Sequence, residues 1–263
     1  MSEKPGATVN PGLNILALLI HHESDGSGPP VLLLHSGVAD LRMWDPQWPE
    51  LIAAHQVVRV DLRGFGKTLA TAGTYRDADD VREVLDSLGI SRTAMVGSSY
   101  GGRVAMEFAA AYPDRVTQLI LLCPVYQGLP PTAALKDFAA AVAAFLEAGQ
   151  LDAAVDLNVQ TWLGPEADDP TRELVRKMQA NSLRLKLVHP DGGPETSEID
   201  AATIDIPALV VSGARDMDYF LAVAQHLAQV MPKARQVELA WAGHLPSLER
   251  PGEITQLLLE ALL

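Results

Sequence analysis

The sequence predicts an α/β protein: a mostly parallel central sheet with helices on both faces and a helical cap inserted late in the chain. Three observations carry that expectation. Short runs are apolar at nearly every position (residues 31–34, 116–123 apart from Thr117 and Gln118, and 206–211 broken only by Pro207), as strands covered on both faces require. Segments between them carry apolar residues at spacings of three and four, such as Val81, Leu85 and Leu88, the mark of a one-sided helix. From Val125 to about Asp200 no strand pattern occurs, and three helical patterns follow one another. The expected organisation is therefore a core of residues 1–124 and 201–263, with 125–200 forming the cap over the strand ends.

Taken in order, residues 16–20 and 31–34 are apolar runs, separated by a polar stretch whose Asp25-Gly26, Gly28 and Pro29-Pro30 predict a turn. The second run ends in His35-Ser36-Gly37-Val38, a loop expected at the carboxyl edge of a parallel sheet, where ligands bind. Residues 44–54 read as a helix and 57–61 as the next strand. The stretch from Asp61 to Thr68 ends in Gly66-Lys67-Thr68 like a phosphate-binding loop. That motif requires glycine five residues before Gly66, where Asp61 stands, so the nucleotide reading fails and Asp61 and Arg63 are expected to tie down a loop. A helix over 78–88 stops at Gly89, and 93–96 is a short strand running into Gly97-Ser98-Ser99-Tyr100-Gly101-Gly102 and a helix over 103–111.

The cap region is expected to hold helices over 132–149 (Leu135, Phe138, Val142, Phe145) and 151–163 (Leu151, Val155, Val159, Trp162). A third starts near Pro170, and the segment from Pro190 to Pro194 breaks the pattern. Beyond it lie a strand over 206–211, a loop containing Asp216 and Asp218, a helix over 219–230, a strand over 236–239, the loop Trp241-Ala242-Gly243-His244, and a closing helix over 254–262. On the third cap helix Arg172, Arg176, Arg184, Lys177 and Lys186 stand against Glu173. That excess is either a solvated face or a device that steers an anionic substrate.

Bulk properties bound the function. The 263 residues are 48% hydrophobic and 20% charged, a globular balance. A net charge of -13 argues against nucleic acid or an anionic membrane as the main partner. Cys123 is the one cysteine, which excludes an intrachain disulfide, and no Cys/His cluster suggests a metal, so neither metal nor cofactor is expected. The opening residues Met1 to Gly6 lack the basic-then-apolar order of a signal peptide, and the apolar run over 13–20 is too short to span a bilayer. A cytoplasmic protein is the expectation, with a homodimer left open.

Gly97, Ser99 and Gly101 form Gly-x-Ser-x-Gly between a strand and a helix. A nucleophile on such a turn needs small neighbours, and the helix after it aims backbone N–H groups at the site. A serine hydroxyl also needs a base and a carboxylate to orient that base. Strand-end loops supply His244 and Asp216 in the chain order Ser99, Asp216, His244, while Asp218 reads as a helix cap or a rival acid. His35 reads as a loop-stabilising residue, Cys123 as core, and His21, His22, His55, His189 and His226 as surface residues.

With these motifs in place, the chain resembles α/β-hydrolases over nearly its whole length, and within them capped esterases of the 3-oxoadipate enol-lactonase type. The features matching α/β-hydrolases are His35-Ser36-Gly37, Asp61-x-Arg63-Gly64-x-Gly66, the Gly97-to-Gly102 elbow, Gly213-x-x-Asp216 and Gly243-His244, and those matching the enol-lactonase type are Met43-Trp44-Asp45-Pro46-Gln47 and the string from His244 to Pro251. The resemblance implies that Ser99 attacks an acyl carbon, His244 moves the proton and Asp216 orients the imidazole. It also implies that the backbone N–H groups of Gly37 and Tyr100 hold the oxyanion, although Ser36 stands where the family usually has glycine. The implied activity is cofactor-independent hydrolysis of a small carboxylic ester or lactone. Thioester, carbon–carbon bond and perhydrolase chemistry by the same triad, and small-molecule binding on a hydrolase scaffold, stay open.

Overall fold

The structure is a computed structural model that describes residues 20–188 and 192–263. The apolar run and strand expected before Ile20, His189 and the start of the Pro190 breaker lie outside the described residues.

Among the described residues, seven strands form one sheet in the order β1-β3-β2-β5-β6-β8-β9. They are β1 (His22–Asp25), β2 (Pro30–Leu34), β3 (Gln56–Val60), β5 (Thr93–Ser98), β6 (Val116–Leu122), β8 (Ala208–Gly213) and β9 (Ala234–Leu239). All pairings are parallel except that of β1, which runs antiparallel to β3. The inner strands carry the continuous apolar runs and are buried along nearly their whole length, because helices cover both faces of a parallel sheet. β1 lies inside the segment that the sequence presents as a turn. As an edge strand it can be polar (His-Glu-Ser-Asp), and the true turn follows it at Gly26 and Gly28, both at positive φ.

Helices α1 (Trp48–Ile52), α2 (Asp77–Ser87), α3 (Tyr100–Ala111), α7 (Asp218–Val230), α8 (Pro246–Glu249) and α9 (Pro251–Ala261) belong to the same layered body as the sheet. The single helix expected over 44–54 is two pieces, a 3-10 turn over Leu41–Trp44 and the short α1. Pro46 and Pro49 each lack the N–H that a continuous helix needs. Between β6 and β8 the chain forms α4 (Ala133–Glu147), α5 (Leu151–Trp162) and α6 (Asp169–Val188), packed α4 on α5 and α5 on α6. The stretch read as strand-free holds one two-residue strand, β7 (Gly193–Pro194), paired in parallel with β4 (Thr74–Tyr75). No helix of the described residues is long and apolar enough to cross a membrane.

The loop after β3 is built round Asp61. Its Oδ1 accepts the Leu41 N–H, and its Oδ2 accepts the Lys67 N–H and meets His21 Nδ1, each at 2.9 Å. Gly66, at φ 53°, closes over that carboxylate so tightly that a Cβ would stand 2.2 Å from it. The Gly66-Lys67-Thr68 string thus wraps a side chain of its own protein.

Candidate active site

β5 ends at Ser98, and Ser99 turns the chain into α3 at φ 51° and ψ −107°, a region that side-chain-bearing residues rarely adopt. The glycines around it are set by space. A Cβ on Gly97 would lie 2.4 Å from the Gly101 carbonyl oxygen, and one on Gly101 would lie 2.3 Å from that of Leu34. The turn is pinned on both sides. The Ser99 N–H donates to the Leu122 carbonyl at 2.8 Å, and the Ser99 carbonyl accepts from Gly102, Arg103 and Val125.

The structure brings Ser99, His244 and Asp216 together in one hydrogen-bonded chain. Ser99 Oγ lies 2.7 Å from His244 Nε2, and His244 Nδ1 lies 2.7 Å from Asp216 Oδ2. A carboxylate only accepts, so Nδ1 carries the proton and Nε2 is left to accept from the serine hydroxyl. The His244 and Asp216 side chains are 3% and 2% exposed, which removes water as a competitor for both bonds. Asp216 hangs from the β8 end, where its Oδ1 accepts the Met217 N–H at 2.7 Å. Asp218 points elsewhere. Its Oδ1 accepts the Tyr219 N–H and the Thr132 hydroxyl, linking the start of α7 to that of α4.

His35-Ser36-Gly37 sits opposite the elbow, and a Cβ at Gly37 would be 3.4 Å from the Tyr100 Cβ. Among the described residues no acceptor takes the N–H of Gly37 or of Tyr100. His35 holds the loop as the sequence suggests. Its Nε2 accepts the Leu62 N–H at 3.0 Å and its Nδ1 donates to the Ser36 carbonyl at 2.8 Å. Burial lowers its pKa and keeps it neutral, which that bonding pattern needs.

Several contributors were not visible in the sequence reading. The buried carboxylate of Glu249 accepts the N–H of Gly243 and of Leu245, clamping the backbone on both sides of His244; the signal was a glutamate five residues after that histidine. Trp162 of α5 and Phe220 of α7 lie against the imidazole, with ring centroids 4.6 and 4.1 Å away. Tyr100 sends its hydroxyl to Asp77 Oδ2 at 2.5 Å, and Arg103 donates to the same oxygen. Cys123 is more than core. It too has positive φ, 46°, and its thiol lies within 4.8 Å of ligand atoms of Asp216 and His244. That trio is the one metal-capable grouping among the described residues. It is a poor cation site, since both imidazole nitrogens are engaged and burial pushes the thiol pKa well up, so the sulfur stays protonated.

The expectation that the other histidines are surface residues fails in part. His55 is buried, His21 is tied to Asp61, and His226 stacks on Tyr126 at 5.6 Å. Contacts of this kind leave no spacing signature in the sequence.

A parallel sheet, a serine on a strained strand-to-helix turn, and a histidine and an aspartate from later strand ends define a hydrolase-type α/β enzyme. The sequence matches the Alpha/beta hydrolase family over residues 31–257, and the chain belongs to that family. It is 29% identical over 245 residues to the dihydrolipoyllysine-residue acetyltransferase component of the acetoin cleaving system of Pseudomonas putida. That match covers 88% of this chain and 63% of the relative, so the chain spans less than two thirds of that protein. Among solved structures, a thermophilic esterase from Thermogutta terrifontis is similar at 28% identity and TM-score 0.77, covering 92% of each chain. The enol-lactonase from Burkholderia xenovorans LB400 is similar at 26% identity and TM-score 0.78, covering 92% of this chain and 96% of its own.

Proposed function

We propose that this enzyme hydrolyses a small carboxylic ester or lactone through an acyl-enzyme intermediate, with Ser99, His244 and Asp216 as its triad. The observation that carries the reading is the continuous 2.7 Å chain from Ser99 Oγ through the imidazole to the Asp216 carboxylate. His244 Nε2 takes the hydroxyl proton as Ser99 Oγ bonds to the carbonyl carbon. The resulting oxyanion is held by the N–H groups of Gly37 and Tyr100, which have no other acceptor among the described residues. Collapse breaks the bond to the alcohol oxygen, which leaves with the proton from His244; water then repeats the sequence on the acyl-enzyme. Asp216 keeps the imidazole in the required tautomer and stabilises its cationic form.

Residues 125–200 act in this reading as a cap, since α5 places Trp162 against the catalytic imidazole. The likeness to an esterase and an enol-lactonase supports the substrate class. A binding protein on the same scaffold would have no use for the three side chains in this order.

A fluorophosphonate probe tests the nucleophile. It should label the wild-type protein on the peptide bearing Ser99 and leave Ser99→Ala unlabelled, and a panel of 4-nitrophenyl esters and lactones should be turned over by the first alone. Labelling of Ser99→Ala equal to wild type, or ester turnover surviving in it, would remove Ser99 from the mechanism.

A further inference from the structure

The two peptide groups proposed to hold the oxyanion are each fixed from the carbonyl end. The Ser36 carbonyl, which shares a peptide unit with the Gly37 N–H, accepts from His35 Nδ1 at 2.8 Å and from the Ala39 N–H at 3.1 Å. The Ser99 carbonyl, which shares one with the Tyr100 N–H, accepts from Gly102 at 3.0 Å, Val125 at 3.1 Å and Arg103 at 3.2 Å. These bonds aim each donor, but none of them joins the two units. Side chains do. Gly37 faces Tyr100 across the space of one methyl, since a Cβ there would lie 3.4 Å from the Tyr100 Cβ. The Tyr100 ring lies 5.9 Å from that of Phe65, which lies 4.8 Å from the His35 imidazole. Phe65 and His35 are buried, so a shift of the Tyr100 ring is passed on to His35, and through it to the Ser36–Gly37 peptide.

The far end of Tyr100 is held as firmly. Its hydroxyl donates to Asp77 Oδ2 at 2.5 Å, the short distance expected of a hydroxyl on a carboxylate. Arg103 donates to the same oxygen at 3.1 Å, and its guanidinium lies 4.3 Å from the centroid of the Tyr100 ring. Its other arm reaches Glu107 at 3.0 Å. Asp77, Arg103 and Glu107 are all buried, and Asp77 Oδ1 has no hydrogen-bond partner among the described residues. The side-chain bonds of this carboxylate are therefore those to Tyr100 and Arg103. Burial pushes the Tyr100 pKa above the usual phenol value, so the hydroxyl remains a donor. Two carboxylates buried round one guanidinium are a costly way to fill the space between α2 and α3. A tether for the ring accounts for them.

We propose that the Tyr100 side chain is a positioning group: tied to Asp77, it sets the separation of the Gly37 and Tyr100 N–H groups by way of Phe65 and His35. Two donors stabilise an oxyanion only when both reach the same atom, at roughly 2.7–3.1 Å, and a small misplacement of one forfeits most of its effect. This rests on the hydrolase reading above and adds to it the buried network that holds the donor pair.

The test compares wild type with Tyr100→Phe, which keeps the ring and removes only its tether, and with Asp77→Ala, in which Arg103 keeps Glu107. Each is assayed on a 4-nitrophenyl ester and for inhibition by trifluoromethyl hexyl ketone and methyl hexyl ketone. Ser99 Oγ adds to the carbonyl carbon of the trifluoromethyl ketone, its proton passes to His244 and the ketone oxygen becomes the oxyanion. That inhibitor reads the donor pair, whereas the methyl ketone reads ground-state binding. Tyr100→Phe should lower kcat about 10- to 100-fold, with KM within threefold, and weaken the trifluoromethyl ketone by a matching factor. Affinity for the methyl ketone should stay within threefold; a general loosening of the fold would weaken both ketones alike. Asp77→Ala should behave similarly, and adding Tyr100→Phe to it should cost less than a further threefold, because both remove the same bond. If Asp77→Ala does not fold, Tyr100→Phe decides alone. A Tyr100→Phe kcat within threefold of wild type, a loss of kcat without matching loss of trifluoromethyl ketone affinity, or additive effects in the double variant overturns the proposal and leaves the hydrolase reading intact. A wild type that neither turns over the esters nor takes up fluorophosphonate overturns both.

Discussion

Replacing Asp216 by asparagine isolates the carboxylate's task, because the structure dictates how the amide must sit. One oxygen of Asp216 accepts the Met217 N–H and the other accepts the His244 Nδ1–H, both at 2.7 Å. Asparagine has a single oxygen, and the backbone N–H is fixed by the turn. The amide oxygen therefore stays on Met217, and the NH2 group faces His244 Nδ1. That nitrogen must become an acceptor, which moves the imidazole proton to Nε2, the atom 2.7 Å from Ser99 Oγ. The serine then faces a donor and has no base. A loss of order 10⁴ in kcat is expected, about 5 kcal/mol of barrier at 1.36 kcal/mol per decade. Asp218→Asn keeps an oxygen for the Tyr219 N–H and should stay within about threefold of wild type. Steady-state kinetics on a 4-nitrophenyl ester, with circular dichroism to verify folding, measure both. A dead Asp218→Asn beside a live Asp216→Asn would refute the assignment.

Other outcomes are expected of the same structure. Ser99→Ala should lower kcat by about 10⁴- to 10⁶-fold with the circular dichroism spectrum retained; a folded variant keeping a tenth of wild-type turnover sinks the nucleophile assignment. Gly66→Ala should destabilise by more than about 2 kcal/mol, since a Cβ would stand 2.2 Å from the Asp61 carboxylate at a positive φ; equal urea midpoints for the two proteins would contradict it. The Cys123 thiol, buried and held protonated, should react with a thiol reagent at pH 8 only as fast as the protein unfolds; stoichiometric labelling of the folded protein within minutes would show otherwise. Dialysis against a chelator should leave ester turnover unchanged, and loss restored by one metal ion would refute this.

What the sequence makes legible follows from which physical signals are local. β2, β5, β6 and β8 carry unbroken apolar runs of three to four residues or more because both their faces are covered, and Gly97 and Gly101 are required by contacts of 2.3 to 2.4 Å. Both signals survive without coordinates. β1 is invisible because an edge strand needs no apolar face, and its polar residues next to glycines imitate a turn. The division of the 44–54 segment could have been read from Pro46 and Pro49, but the apolar residues around them suggested one helix. Glu249, Trp162, Phe220 and Cys123 reach the site only through tertiary packing, from three helices and a strand end. A buried glutamate that accepts two backbone N–H groups has the same composition as a solvated one. The α6 stripe shows the reverse problem. Five basic residues look alike in sequence, but Arg172 donates to the Gly164 carbonyl, Arg176 and Lys177 pair with Glu173, and Lys186 lies over the Phe65 ring.

The strain at the elbow gives one more consequence, and it runs against the usual order of residue effects. Among the described residues, Ser99 and Cys123 alone combine a side chain with positive φ, and they end the adjacent strands β5 and β6. The sheet enforces this: Ser99 N–H is held by Leu122, Cys123 N–H by Val211, and Val125 N–H by Ser99. A side chain at φ 51° and ψ −107° costs on the order of 1–3 kcal/mol. Ser99→Ala removes the hydroxyl but keeps the Cβ, hence the strain. Ser99→Gly removes the strain and adds back roughly 0.5–1 kcal/mol of chain entropy to the unfolded state. Both variants lose the bond to His244, so that term cancels between them. The glycine variant should therefore be the more stable of the two by about 1 kcal/mol, although glycine is ordinarily the less stable choice. Urea unfolding of the two inactive variants, compared at equal m-values, measures the difference. An alanine variant as stable as the glycine one, or more so, would mean that the elbow is relaxed and that the sheet stores no strain at Ser99.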